Sequence, residues 1–233
     1  MTAPFWNPWV GEGPPPAGWA AAVAPEPYPW AEVAPEHAGL LPLAAASAVE
    51  PLGAIQRICI HWTAGDWDTV YGEYHACVQG SGRYVPTRGL SVKGAHLYRR
   101  NTGTYGLAGC GEVDAVPDRN GAPTGSRCPF TEPQIETMAK AAAEILHRCN
   151  LGPPGTKVPV LEMAMQGGVL VPTGRTIYVD VLSDHATYAR LDGYPGERWD
   201  VATLLAVIHR KAGWYYAQLR DKKILPEHTV GHR

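Results

Sequence analysis

Arg57-Ile58-Cys59-Ile60-His61-Trp62-Thr63-Ala64-Gly65 is the stretch on which the fold reading turns. Apolar, β-favouring residues run into a histidine and a Thr-Ala-Gly turn closes the run. That pattern predicts a buried strand over Ala54–His61 with an imidazole at its end. A histidine so placed is held rigidly at a cleft, as a metal ligand must be. A single histidine at a strand end is more often structural, so its role depends on what the rest of the chain supplies.

Downstream, Glu73–Val78 and Arg83–Val85 read as a hairpin around Gly80-Ser81-Gly82, and Thr104–Gly109 as a short strand. A Gly/Pro-rich loop runs on through Pro129. Thr131-Glu132-Pro133-Gln134 is a capping box, and Ile135, Met138, Ala142, Ile145 and Leu146 continue one helical face to Cys149. Val158–Pro172 reads as an inserted hairpin or loop. Thr176–Leu182 is a β-branched strand feeding Ser183-Asp184-His185, and a last helix is predicted over Val201–Arg220. Strands and helices in this mixture predict an α/β fold, a mixed central β-sheet flanked by helices.

Upstream, the character changes. Residues 1–52 carry Trp6, Trp9, Trp19 and Trp30, a Pro-Pro-Pro run and repeated Ala-Pro-Glu, with only a short helical pattern around Leu40–Val49. They read as an extended N-terminal arm, a polyproline-like strap whose tryptophans suit docking on the domain or on another protein. The globular domain is expected over 53–221, and 222–233 is a tail.

The 233 residues suffice for one domain plus such an appendage. A net charge of −2 gives no footprint for nucleic acid or an anionic membrane. No run approaches the ~18 apolar residues that span a bilayer. The opening Met1–Trp6 lacks a basic and an apolar region, so a secretory signal is not expected. Of the five cysteines, Cys59 and Cys77 read as small core residues, and Cys110 and Cys128 flank a loop across which they could pair.

His61 and His185 each follow an apolar strand, so both rings can project from one sheet edge. Asp200 stands just before the last helix, where it can also serve as an N-cap. Two neutral imidazoles and one carboxylate suit Zn²⁺, with the fourth tetrahedral position left for water.

The flanking sequence resembles the N-acetylmuramoyl-L-alanine amidase family of zinc amidases, which includes phage lysins and peptidoglycan-recognition proteins. His61-Trp62-Thr63-Ala64-Gly65 is similar to the first-ligand motif, and Tyr74-His75-Ala76 with Gly80–Tyr84 to its Tyr-His-Phe hairpin. Gly94-Ala95-His96 with Asn101–Gly106 resembles the segment bordering the substrate groove. Asp184-His185 and Tyr194–Asp200 resemble the second ligand and the closing motif. The match covers about residues 54–215 and implies the peptidoglycan-recognition-protein-like fold.

It further implies hydrolysis of the amide joining N-acetylmuramic acid to L-alanine in peptidoglycan. Zinc would be held by His61, His185 and Asp200, with Tyr74 matching the catalytic tyrosine. Tyr74 also reads as a plain hairpin residue. Trp62, His75, His96 and Asn101 would border or bind substrate, while His147 and His209 read as helix-surface residues. The chain departs from the family where Arg198 replaces the usual lysine. Arginine can stabilise an oxyanion but is a poor proton donor. Recycling-type relatives carry a glutamate base shortly after the Asn-x-Gly segment, where this chain has Ala108, Gly109 and Cys110, which leaves Glu73, Glu112 and Asp184 as nearby carboxylates. The span from His61 to Tyr74 is too short for the helix many relatives place there.

The leading expectation is a phage or prophage lysin, or a virion-associated wall hydrolase, held in the host cytoplasm before release or carried in the virion. A phage tail or virion partner would engage residues 1–50. The rival expectations are a non-catalytic peptidoglycan-binding module and a structural tail component with an amidase-like domain.

Overall fold

The computed structural model describes residues 55–90, 92–117, 123–194, 201 and 204–221. The N-terminal arm, the helical pattern at 40–49, the 222–233 tail, Arg198 and Asp200 lie outside the described residues. Among the described residues, five strands form a mixed sheet. They are β1 (Arg57–Trp62), β2 (Ala76–Val78), β3 (Tyr84–Pro86), β4 (Thr104–Gly109) and β9 (Leu182–Asp184), in the order β3-β2-β4-β1-β9. β1 runs parallel to both β4 and β9, and β2 parallel to β4, with only β3 antiparallel at the edge. Two short strands, β5 (Val116–Pro117) and β6 (Pro123–Thr124), pair separately, as do β7 (Lys157–Gln166) and β8 (Val169–Asp180).

Alternation along β1 sorts its side chains into two layers. Ile58 and Ile60 face the main core, where Leu107 of β4 and Leu182 of β9 join them. That face is covered by α1 (Glu132–Arg148) and α3 (Leu205–Arg220), through Met138, Leu146, Ile208 and Tyr215. Ala139, Ala141, Ala142 and Ala143 are buried on α1, and their small side chains let the helix approach closely. Burying one side chain such as Ile60 contributes about 1.5–3 kcal/mol. Cys59 and His61 point the other way. Cys59 packs with Leu97, with Val160 and Val179 of the β7–β8 hairpin and with Tyr188 of α2 (His185–Leu191).

Several expectations shift by a few residues, and two change in kind. The strand over 104–109 and the Thr131 capping box are found as expected. No helix lies between His61 and Tyr74, and a turn region connects them. The segment read as an inserted hairpin or loop at 158–172 is a hairpin, but a longer one that also takes in most of the strand expected at 176–182, with Val160 opposite Ile177 and Met165 opposite Leu170. The sheet strand is only Leu182–Asp184, and the chain breaks register at Val181 because it leaves one partner for another. His185, expected at a strand end, opens α2, with Asp184 as its N-cap accepting from the Thr187 N–H at 2.7 Å. The last helix starts at Leu205 rather than Val201. None of the five cysteines is in a disulfide, so Cys110 and Cys128 do not pair. No helix of the described residues is long and apolar enough to cross a membrane.

Candidate active site

The carboxyl ends of parallel strands form the rim where open α/β sheets place their ligands. Register brings two of the expected ligands together at that rim. Ile60 of β1 pairs with Asp184 of β9, so the next residues along, His61 and His185, emerge side by side. Their ring centres are 5.0 Å apart with planes at 63°. Two imidazoles held at 2.0–2.1 Å by one tetrahedral ion would have ring centres about 5 Å apart, so this pair fits zinc in spacing. The third expected donor, Asp200, lies outside the described residues. Among the described residues, no group of three or more His, Cys, Asp or Glu side chains could hold a metal ion.

Around this pair the structure places the other predicted residues at different depths. Tyr74 is half-buried, with its ring 5.2 Å from that of His61, and its hydroxyl donates to the Trp62 carbonyl at 3.1 Å. Trp62, Tyr74, His96, Asn101 and His185 all line one cleft of about 620 Å³. His96 lies within hydrogen-bonding distance of His61, Nδ1 to Nε2, at 2.9 Å. Burial, with the neighbouring His61 and His75, pushes its pKa down from 6.5 to about 2, so it is neutral. Asn101 acts on the backbone, its Oδ1 accepting from the His96 and Leu97 N–H groups at 2.9 Å each. His75 is buried beneath the cleft rather than in its lining. Its ring stacks on Tyr105 at 4.8 Å, and its Nδ1 accepts from the Gly106 N–H at 3.0 Å.

The three carboxylates considered as bases separate clearly. Glu73 lines the cleft and is exposed. Asp184 is fully buried in its capping role. Glu112 is buried below the rim and accepts from the Phe130 N–H at 3.1 Å, and burial raises its pKa.

Sequence reading missed the wall opposite Tyr74. Arg99 donates to the Leu170 carbonyl at 2.5 Å, and Arg100 to the Leu161 carbonyl at 2.9 Å, which fastens the β7–β8 hairpin beside the site. Arg100 is itself buried and paired bidentately with Asp192 at 2.5 and 2.6 Å, and it lies over the Tyr188 ring at 5.4 Å. Tyr98 and Tyr194 flank the cleft mouth with rings 6.3 Å apart. The adjacent Arg99-Arg100 was the available signal, but nothing local announces a partner ninety-two residues away. Thr63 was also overlooked. Its Oγ1 accepts from Gly65 at 3.3 Å and Gly111 at 3.1 Å, tying the turn after β1 to the one after β4.

No protein-family model and no curated protein matches the chain. Among solved structures, the chain is similar to the Staphylococcus aureus hydrolase AmiA in complex with its ligand. The identity is 15% and the TM-score 0.41, covering 75% of this chain and 78% of that one.

Proposed function

We propose that the chain is a zinc-dependent hydrolase that cleaves the amide between N-acetylmuramic acid and L-alanine in peptidoglycan. The observation that carries this reading is the convergence of the buried His61 with His185, ring centres 5.0 Å apart, where His185 and Tyr74 line one cleft. The motifs around them supply the rest of the support, and the setting of a phage lysin or virion-associated enzyme rests on those motifs alone. His61 and His185 would hold the metal, together with Asp200. When bound, zinc supplies a Lewis acid and lowers the pKa of a water toward ~7.

The chain's own residues then have distinct tasks. Tyr74 presents a hydroxyl that can leave the Trp62 carbonyl and donate to the amide oxygen as charge develops there. Glu73, the one of the three considered carboxylates that borders the cleft, can accept the proton of the attacking water. Tyr98 and Tyr194 offer ring faces for a sugar at the cleft mouth.

The test is zinc analysis of the purified protein with mass spectrometry of digested cell walls. New alanine amino termini and about one zinc per chain are expected, both lost in His185→Ala. Reducing sugar ends would mean a glycosidase and overturn the mechanism. Wall binding without any cleavage would favour the non-catalytic module.

A further inference from the structure

We infer that Trp67 is a sugar platform, a second subsite on which the substrate's glycan strand rests beyond the cleft. This rests on the wall-hydrolase reading and adds to it a place and a direction for the saccharide. Trp67 lies in the turn region that joins β1 to β2 and is 40% exposed. Its indole is nonetheless pinned by three separate segments. Nε1–H donates to the Pro129 carbonyl at 2.8 Å. A Cβ added at Gly80 would come within 2.6 Å of the indole Cγ, so the side chain lies directly on that glycine. A Cβ at Gly111 would stand 3.9 Å from the indole Cδ1.

Sheet order turns these anchors into a position. β2, β4, β1 and β9 run parallel, so their carboxyl ends share one rim. Gly80 follows β2 and Gly111 follows β4, which puts Trp67 over the β2–β4 end of that rim. His61 and His185 emerge at its β1–β9 end. Two strand spacings, about 10 Å, separate β2 from β1. Thr63, Ala64 and Tyr71 of the same connection line the cleft, so the segment that carries Trp67 also borders the site.

An indole held this way has already spent its N–H, and what it offers outward is ring surface. The C–H bonds of a pyranose are polarised by the ring oxygen and are drawn to the negative face of an aromatic system. A ring already fixed loses little side-chain freedom on binding. Asp66 and Asp68, on either side in the sequence, are exposed. Their carboxylates can accept from sugar hydroxyls, while their charge opposes the carboxylates of a stem peptide. The occupant that fits is the uncharged strand of N-acetylated hexosamines.

The experiment titrates the full chain with the soluble β-1,4-linked tetramer of N-acetylglucosamine, followed by calorimetry and by ¹H–¹⁵N NMR of the indole groups. Trp67→Phe identifies the Trp67 signal by its absence and keeps a ring, and Trp67→Ala removes the ring. The wild-type Trp67 signal should move as sugar is added. Trp67→Ala should bind about tenfold more weakly, and Trp67→Phe within about threefold of wild type. Thermal melts show which variants fold, and if Trp67→Ala does not, the wild-type signal decides. A ring that only braces the turn would lower the melting temperature of both variants and leave the affinity of folded protein unchanged, which would overturn the proposal. So would an indole signal that stays still, or one that responds to the dipeptide alanyl-glutamate and not to sugar. Wild type that holds no zinc and cuts no wall, yet binds sugar through Trp67, would sink the hydrolase reading and leave the platform standing. Zinc-dependent cleavage with no sugar response at Trp67 would do the reverse.

Discussion

The floor and the wall of the cleft are built on different principles. The floor consists of strand ends in a parallel sheet, where register alone sets His61 beside His185. The wall is a two-stranded hairpin outside that sheet, held at the site by two arginines that reach its carbonyl oxygens and by a small apolar cluster. Backbone pairing spreads the floor's position over many bonds. The wall's position is concentrated in a few side chains, so single substitutions should act unequally on the two.

Arg100→Ala should have the largest effect. It removes both bonds to the buried Asp192, leaves that carboxylate without its partner, and frees the Leu161 carbonyl. Breaking one partner of a buried pair costs about 3–5 kcal/mol. Denaturant unfolding should show that loss, with hydrogen exchange rising first in the hairpin. Equal exposure of the central sheet would break the distinction between wall and floor.

The floor has a comparable side-chain tie in Gln134. Its Nε2 donates to the Val78 carbonyl at 2.7 Å and to the Cys110 carbonyl at 2.6 Å, joining the first turn of α1 to the ends of β2 and β4. Val78 also accepts from the Cys110 N–H, so only the second carbonyl is stripped of this support in Gln134→Leu. The expected loss is about 1–3 kcal/mol, smaller than at Arg100 because no charge is stranded. A loss at Gln134 equal to that at Arg100 would mean that the floor, too, hangs on one side chain.

The same contrast explains what could be read in the sequence. β4 and the capping box of α1 follow from short-range patterns, alternation and a Thr-x-x-Gln spacing, and both stand where the pattern put them. His61 and His185 were legible as strand-end histidines, although His185 belongs to a helix that Asp184 caps. The hairpin was misdivided because its twelve-residue second strand runs almost into β9, and a continuous β-branched stretch does not reveal a change of partner. Arg100 and Asp192 were illegible for a plainer reason. Their pairing depends on the folded path of the chain across a separation of ninety-two residues. The same applies to His75, whose motif position gave no hint that it would stack inward on Tyr105.

Glu112 provides a smaller effect of opposite sign. It is buried under the floor, where the chain bridges to Gly65, and burial raises its pKa. A carboxyl whose folded pKa is raised holds more protons in the native state than in the unfolded one, so its contribution falls as pH rises through that window. Glu112→Gln keeps an acceptor for the Phe130 N–H without the charge. It should therefore raise the melting temperature at pH 7, by about 2–4 °C if the gain is ~1 kcal/mol, and lose that advantage at pH 4. Cell-wall cleavage should be unchanged, since Glu112 does not line the cleft. A loss of activity with the fold intact would return Glu112 to consideration as the base.

The smallest effect belongs to the hairpin's solvent side. Arg175 pairs bidentately with Glu162 at 2.6 and 2.7 Å, in shorter bonds than many buried ones, and Thr173 adds another to the same carboxylate. Distance alone would rank this network beside Arg100 and Asp192. Exposure reverses the ranking, because water and salt screen the charges and each freed group is resolvated when the pair breaks. Arg175→Ala should leave the unfolding midpoint within measurement error of the parent, at low and at high salt alike. If its effect approached that of Arg100→Ala, the wall would be held from its outer face rather than by the arginine buried against the site.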